Sequence, residues 1–148
     1  LLNKIGTALN SIEPAEVAIK SHPLLSEQVL QSYLVGIGFP KYAFVKGTVQ
    51  ELALQSSIVI MGCSSVSNLE IAVLSVPLIR VSLDSNFDFD PIWEDSPLSV
   101  VVSNAIELAL RIKKFKETSD LSDLNAFGAS ILENYFEPTS EERMSVFL

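Results

Sequence analysis

Ile58-Val59-Ile60-Met61-Gly62-Cys63-Ser64-Ser65-Val66-Ser67-Asn68-Leu69-Glu70 is the stretch on which the reading of this chain turns. Four apolar residues, Ile58 to Met61, run into a turn of small residues, and a helical pattern follows that stops at Pro77. A short run rich in Ile and Val, bounded by Gly and Ser, reads as a buried strand. Strand, tight turn and helix N-terminus in that order make a place for an anion. The backbone N–H groups of the turn approach phosphate oxygens, and the helix dipole favours negative charge there. Glu70 falls further into the helix, within reach of a sugar hydroxyl at the same mouth.

Working outward, five apolar segments recur at 16–20, 42–46, 57–61, 77–82 and 98–102, each rich in Val, Ile or Phe. Helical patterns separate most of them, at 26–35, 48–55 and 66–76, and another follows the last at 104–115. Thr48 with Glu51, and Asn104 with Glu107, have the capping-box spacing that starts a helix. Gly36 and Gly38 are suited to stop one. Strands alternating with helices imply βαβ units. The expected fold is therefore α/β, a Rossmann-like parallel sheet of about five strands with helices on both faces. Residues 84–97 hold four Asp, one Glu and two Pro with little periodicity, and read as a surface loop. Beyond Lys116 the pattern is helical to the end, with Leu124, Phe127, Ile131, Leu132 and Tyr135 as its apolar stripe.

Length and composition fit one α/β domain spanning 1–148. Of the residues, 48% are apolar and 19% charged, which excludes disorder and suits a sheet covered on both faces. The net charge of −8 argues against nucleic acid as a partner, because that affinity needs clustered Lys and Arg. The single cysteine forms no internal disulfide and points to a reducing, cytoplasmic compartment. No apolar run approaches the roughly 18 to 20 residues of a membrane helix. The chain opens Leu1-Leu2 directly into a helical pattern (Leu2, Ile5, Leu9) with no initiator Met, and so reads as a domain excised from a longer, two-domain protein.

In an open parallel sheet, ligands bind beyond the carboxyl ends of the strands. That rule selects His22, Gly47, the 62–65 turn and Asp84 onward, all of which closely follow a strand and are expected along one edge. Lys20-Ser21-His22-Pro23 carries the only histidine, whose imidazole suits a phosphate or sugar oxygen. The plainer alternative is an exposed loop histidine before a helix. Ser64, Ser65 and Glu70 also have a plain alternative, since Ser67 and Glu70 are spaced as a capping box and the serines suit a turn. Both readings stay open on the residues alone. Cys63 reads as a small buried residue, for want of a second histidine to serve as base. Asp88, Asp90, Glu94 and Asp95 lack the spacing of a calcium loop and read as a solvated acidic stretch, so no metal is expected.

Taken in order, these motifs resemble the C-terminal half of a GT-B glycosyltransferase of the bacterial surface-polysaccharide and lipopolysaccharide type. Sugar-nucleotide 2-epimerases and glycerophosphotransferases are relatives of that family. Lys20-Ser21-His22-Pro23 resembles the family's Lys-x-His-Pro, and Glu51-Leu52 through Gly62 resembles its helix and strand before the donor site. Ser64-Ser65-Val66-Ser67-Asn68-Leu69-Glu70 through Pro77 resembles its Ser-Ser/Gly-x-x-x-x-Glu-Ala…Gly-x-Pro signature. Asn134-Tyr135-Phe136-Glu137-Pro138 resembles its closing helix region. The chain departs from the pattern with Asn68 for a common Gly, Ile71 for Ala, and Ser75-Val76 for the Gly before Pro.

The resemblance implies a nucleotide-sugar as donor substrate, with no separate cofactor, and transfer of its sugar to a cell-surface glycan acceptor held by a missing N-terminal domain. It places Ser64 and Ser65 on the donor phosphates, Glu70 on the ribose hydroxyls and His22 beside the diphosphate. It implies a cytoplasmic protein, peripheral to the inner membrane in its full-length form. It leaves the general base unidentified. An epimerase half-domain and a non-catalytic binding module of the same fold are the alternatives.

Overall fold

A computed structural model of the chain describes residues 1–14, 16–83, 89–92, 96, 99–118 and 122–136. The elements run α1 (Leu2–Ile12), β1 (Ala18–Ile19), α2 (Glu27–Gly36), β2 (Ala43–Phe44), α3 (Val49–Leu54), β3 (Val59–Gly62) and α4 (Ser67–Val73). They continue with β4 (Leu78–Val81), β5 (Ser99–Val102), α5 (Ala105–Glu117) and α6 (Ser122–Tyr135). Each of the five expected strands is present and every pairing between them is parallel.

The expected single sheet is corrected, however. The strands form a two-stranded sheet, β1-β2, and a three-stranded sheet, β3-β4-β5. The reason lies in how little the first two strands bury. Ala18 and Ala43 face solvent, Ile19 and Phe44 are only half-buried, and each strand is two residues long. All four residues of β4 are buried, as a central parallel strand requires.

Alternation along the three-stranded sheet sends its side chains to two cores. Ile79, Val81, Val100 and Val102 pack with Ala8 and Leu9 of α1 and with Leu108, Ile112 and Phe115 of α5. Leu78 packs on the other face with Ala53 of α3, Ile71 and Ala72 of α4, and Phe127 and Ile131 of α6. The helices thus cover both faces of this sheet.

The ends of the helices follow local chemistry. At the end of α2 the Phe39 N–H reaches the Leu34 carbonyl (3.0 Å) and the Gly38 N–H reaches that of Val35 (3.1 Å). This is a Schellman motif, and it needs the positive φ of 63° that Gly38 supplies. Thr48 and Glu51 close a full capping box on α3. The Asn104 side chain accepts from the Glu107 N–H, but the Glu107 carboxylate turns to the N–H and hydroxyl of Ser103 instead of Asn104. These donors hold the carboxyls of both Glu51 and Glu107 below their ordinary value.

The expected stripe of α6 is corrected at one position. Leu124, Phe127 and Ile131 are buried together with Gly128, whereas Leu132 is exposed. Asp84, Asp88, Glu94, Asp95, Glu137 and Pro138 lie outside the described residues.

Candidate functional site

The turn after β3 is built on a side chain that the sequence reading took for a departure. Asn68 is fully buried, and its Nδ2 donates to the carbonyls of Gly62 and Cys63, both at 3.0 Å. With those carbonyls drawn inward, the Ser64 N–H, on the same trans peptide as the Cys63 carbonyl, points the opposite way. A phosphate-binding turn asks for N–H groups directed outward. Asn68 Oδ1 is buried without a hydrogen-bond partner among the described residues. The signal available beforehand was an Asn three and four residues before Ile71 and Ala72, on an apolar helical face where an amide rarely sits unless it bonds backbone.

The helix after the turn is shorter than expected. α4 spans seven residues, and its N-cap, Val66, makes no side-chain bond. Its dipole is correspondingly limited to under two turns, so anion binding at the turn would rest on the N–H groups more than on the helix. Ser67 is the first residue of the helix and not its cap, so the Ser67–Glu70 capping box does not form. The half-buried Glu70 instead accepts from Gln50 Nε2 of α3 at 2.7 Å.

Ser64 is exposed, and its hydroxyl accepts the Phe89 N–H at 3.2 Å, tying the connection after β4 to the turn. Ser65 is half-buried, and its carbonyl accepts the Asn68 N–H at 3.0 Å. Cys63 is buried, as expected.

His22 is exposed three residues beyond β1. Its Nδ1 accepts the Leu24 N–H at 3.2 Å and its carbonyl the Leu25 N–H at 2.8 Å. With Nδ1 an acceptor, the proton of the neutral ring sits on Nε2, the nitrogen left to meet a ligand oxygen. His22 and Gly47 lie at the carboxyl ends of the two-stranded sheet, and Ser64 and Ser65 at that of the three-stranded sheet.

The solvated reading of the acidic stretch is corrected at Asp90. Its carboxylate receives Arg80 Nη1, which also donates to the Ile92 carbonyl at 2.9 Å, while Nη2 reaches the Ser99 carbonyl at 3.3 Å. Arg80 is fully buried in β4, and Asp90 Oδ1 further accepts the Ile92 N–H. Arg80 escaped the sequence reading because its segment, Leu78-Ile79-Arg80-Val81, otherwise looks uniformly apolar. Among the described residues no three His, Cys, Asp or Glu side chains gather in a way that would hold a metal ion.

A shallow cavity of about 450 Å³ opens elsewhere, lined by Leu9, Glu13, Glu16, Lys41 and Tyr42 among others. It lies at the amino ends of β1 and β2, opposite to the edge that carries His22. No helix among the described residues is long and apolar enough to cross a membrane.

Compared with known proteins, the chain matches no family model, no curated protein and no solved structure.

Proposed function

We propose that this chain is the donor-binding half of a glycosyltransferase that moves a sugar from a nucleotide-sugar to a cell-surface glycan acceptor. The observation that carries the reading is the state of Glu70. Its carboxylate is not consumed by a capping box but is steadied by Gln50 beside a turn whose carbonyls Asn68 has drawn inward. In this reading the ribose hydroxyls donate to Glu70, and the diphosphate lies on the backbone around Ser64 and Ser65. His22 offers its Nε2 proton to the departing diphosphate. Charge that develops on the leaving group is thereby met by fixed donors, which is the main way such a site lowers a barrier. In this reading the acceptor is held by a separate N-terminal domain, so the isolated chain should bind without turning over.

One observation favours the second reading, a non-catalytic binding module of the same fold. The Phe89 N–H already occupies the Ser64 hydroxyl as an acceptor. A sugar-nucleotide 2-epimerase would use the same half-site.

Calorimetric titration of a panel of nucleoside diphosphates into the chain and into Glu70→Gln tests the proposal. Glutamine keeps an oxygen for Gln50, so the melting temperature should hold. Charge-assisted bonds are worth roughly 1.5 to 3 kcal/mol each, so affinity should fall on the order of tenfold or more. Equal affinity removes Glu70 from the site, and absence of binding to every diphosphate overturns the function.

A further inference from the structure

We propose that the outward face of α5 is a docking surface for a lipid bilayer bearing anionic headgroups, a role that stands whether or not the chain binds a nucleotide. Lys and Arg are scarce in this acidic chain, yet Arg111, Lys113, Lys114 and Lys116 place four of its ten within six residues. Such a cluster on an amphipathic helix suits a surface of anionic phosphates.

Packing decides which way the helix points. Leu108, Ile112 and Phe115 are buried in the core that α5 shares with α1 and the three-stranded sheet, so the opposite side faces outward. On that side Ile106 is 75% exposed and Leu110, one turn on, is 60% exposed. Lys113 and Lys114 follow three and four residues beyond Leu110 and flank the same stripe, and both are exposed together with Lys116. Among the described residues none of these three lysines is held in an ion pair. Arg111 is half-buried beside the Glu107 carboxylate, which it helps to keep ionised. The acids of the helix stand near its two ends: Glu107 is turned to Ser103, and Glu117 is the last residue. α1, packed beside α5, holds no Asp or Glu.

Two chemistries on one convex face identify the occupant. A bilayer presents phosphates at its surface and hydrocarbon roughly 5 to 10 Å beneath, so the lysines stay at the headgroups while Ile106 and Leu110 enter below them. A nucleic-acid backbone would engage the lysines and leave the apolar pair in water. The net charge of −8 repels an anionic surface, but salt screens that repulsion beyond about 8 to 10 Å, so the side that touches the bilayer decides.

The test is sedimentation of the chain with vesicles of phosphatidylcholine alone and of equimolar phosphatidylcholine and phosphatidylglycerol, with thermal melts as the control. The parent should bind the mixed vesicles reversibly, leave them at high salt and ignore pure phosphatidylcholine. Lys113→Gln, Lys114→Gln and Lys116→Gln combined should weaken binding on the order of a hundredfold, since each lysine near such a surface is worth roughly fivefold. Arginine at the same three positions should restore it, which separates charge from structure. Ile106→Ser with Leu110→Ser should weaken it roughly tenfold or more. The fluorescence of Leu110→Trp should shift to the blue on the mixed vesicles. A parent that stays in solution with the mixed vesicles, or that binds them no better than the glutamine variant, overturns the proposal. Binding that needs the lysines but not Ile106 and Leu110, and is matched by soluble polyglutamate, overturns the bilayer in favour of an acidic protein.

Discussion

Asn68 does two things that a glycine at its position could not: it draws two carbonyls of the turn inward, and it fills the space beneath them. A residue that looks like a loss of backbone freedom is thus a clamp. The sequence reading missed this because a bond to carbonyls five and six residues back becomes visible only once the turn is folded. The places of His22, Ser64 and Ser65 just after strands, and of Glu70 in the helix that follows, were legible because apolar runs locate those strands. At His22 the local and the ligand roles are separable by substitution. Asparagine at this position can accept the Leu24 N–H as His22 Nδ1 does, through an Asx turn, but has nothing in place of Nε2. His22→Asn should therefore leave the melting temperature unchanged and weaken nucleoside diphosphate binding by roughly the five- to tenfold of one lost hydrogen bond, read by calorimetry. A lower melting temperature at unchanged affinity would make His22 a turn residue only.

Helix starts show why equal spacing in sequence has unequal outcomes at the level of the element. Thr48–Glu51 closes both bonds of its box, Asn104–Glu107 closes one, and Ser67–Glu70 closes neither because its helix begins one residue too early. Spacing locates a helix to within a residue, yet capping is decided by that residue. For Glu51 the consequence can be read against pH. Its carboxyl lies below the ordinary 4.5 when folded, because the Thr48 N–H and hydroxyl favour the ionised form. A lowered folded value means stability that is fully present above the unfolded value and lost as pH falls through the folded one. The deficit in melting temperature of Glu51→Ala relative to the parent should thus be constant near neutrality and shrink below pH 4.5. A deficit that persists unchanged in acid would point to packing instead. Where α6 crosses the end of α4, Gly128 leaves no room for a methyl group: a Cβ there would stand 2.7 Å from Ser75 Oγ and 2.9 Å from the Ala72 carbonyl. Alanine normally favours a helix, but here overpacking should prevail, so Gly128→Ala should cost about 1 to 3 kcal/mol in chemical denaturation. A stabilised variant would mean that the two helices separate freely.

At the scale of the molecule, the parallel α/β plan was legible because five Val- and Ile-rich runs alternate with helical patterns. The division into two sheets was not. Which strands pair depends on how much each buries, and the apolar residues of segments 16–20 and 42–46 are short runs bounded by Glu16, Lys20 and Lys46. Hydrogen exchange should register the division. The amides of Ala43 and Val45, which bond Val17 and Ile19 across the small sheet, should exchange well before those of Cys63 and Ser82, which bond Val81 and Val102. Uniform protection would mean that both sheets open as one unit. Arg80 imposes a different kind of unity. An arginine cannot enter an apolar interior ahead of the groups that receive it, and those groups belong to Asp90, Ile92 and Ser99. The central strand consequently cannot bury itself first and accept its neighbours later. Its closure, the arrival of β5 and the docking of 89–92 are bound into one cooperative step, and a connection that appeared peripheral shares the unfolding free energy of the core.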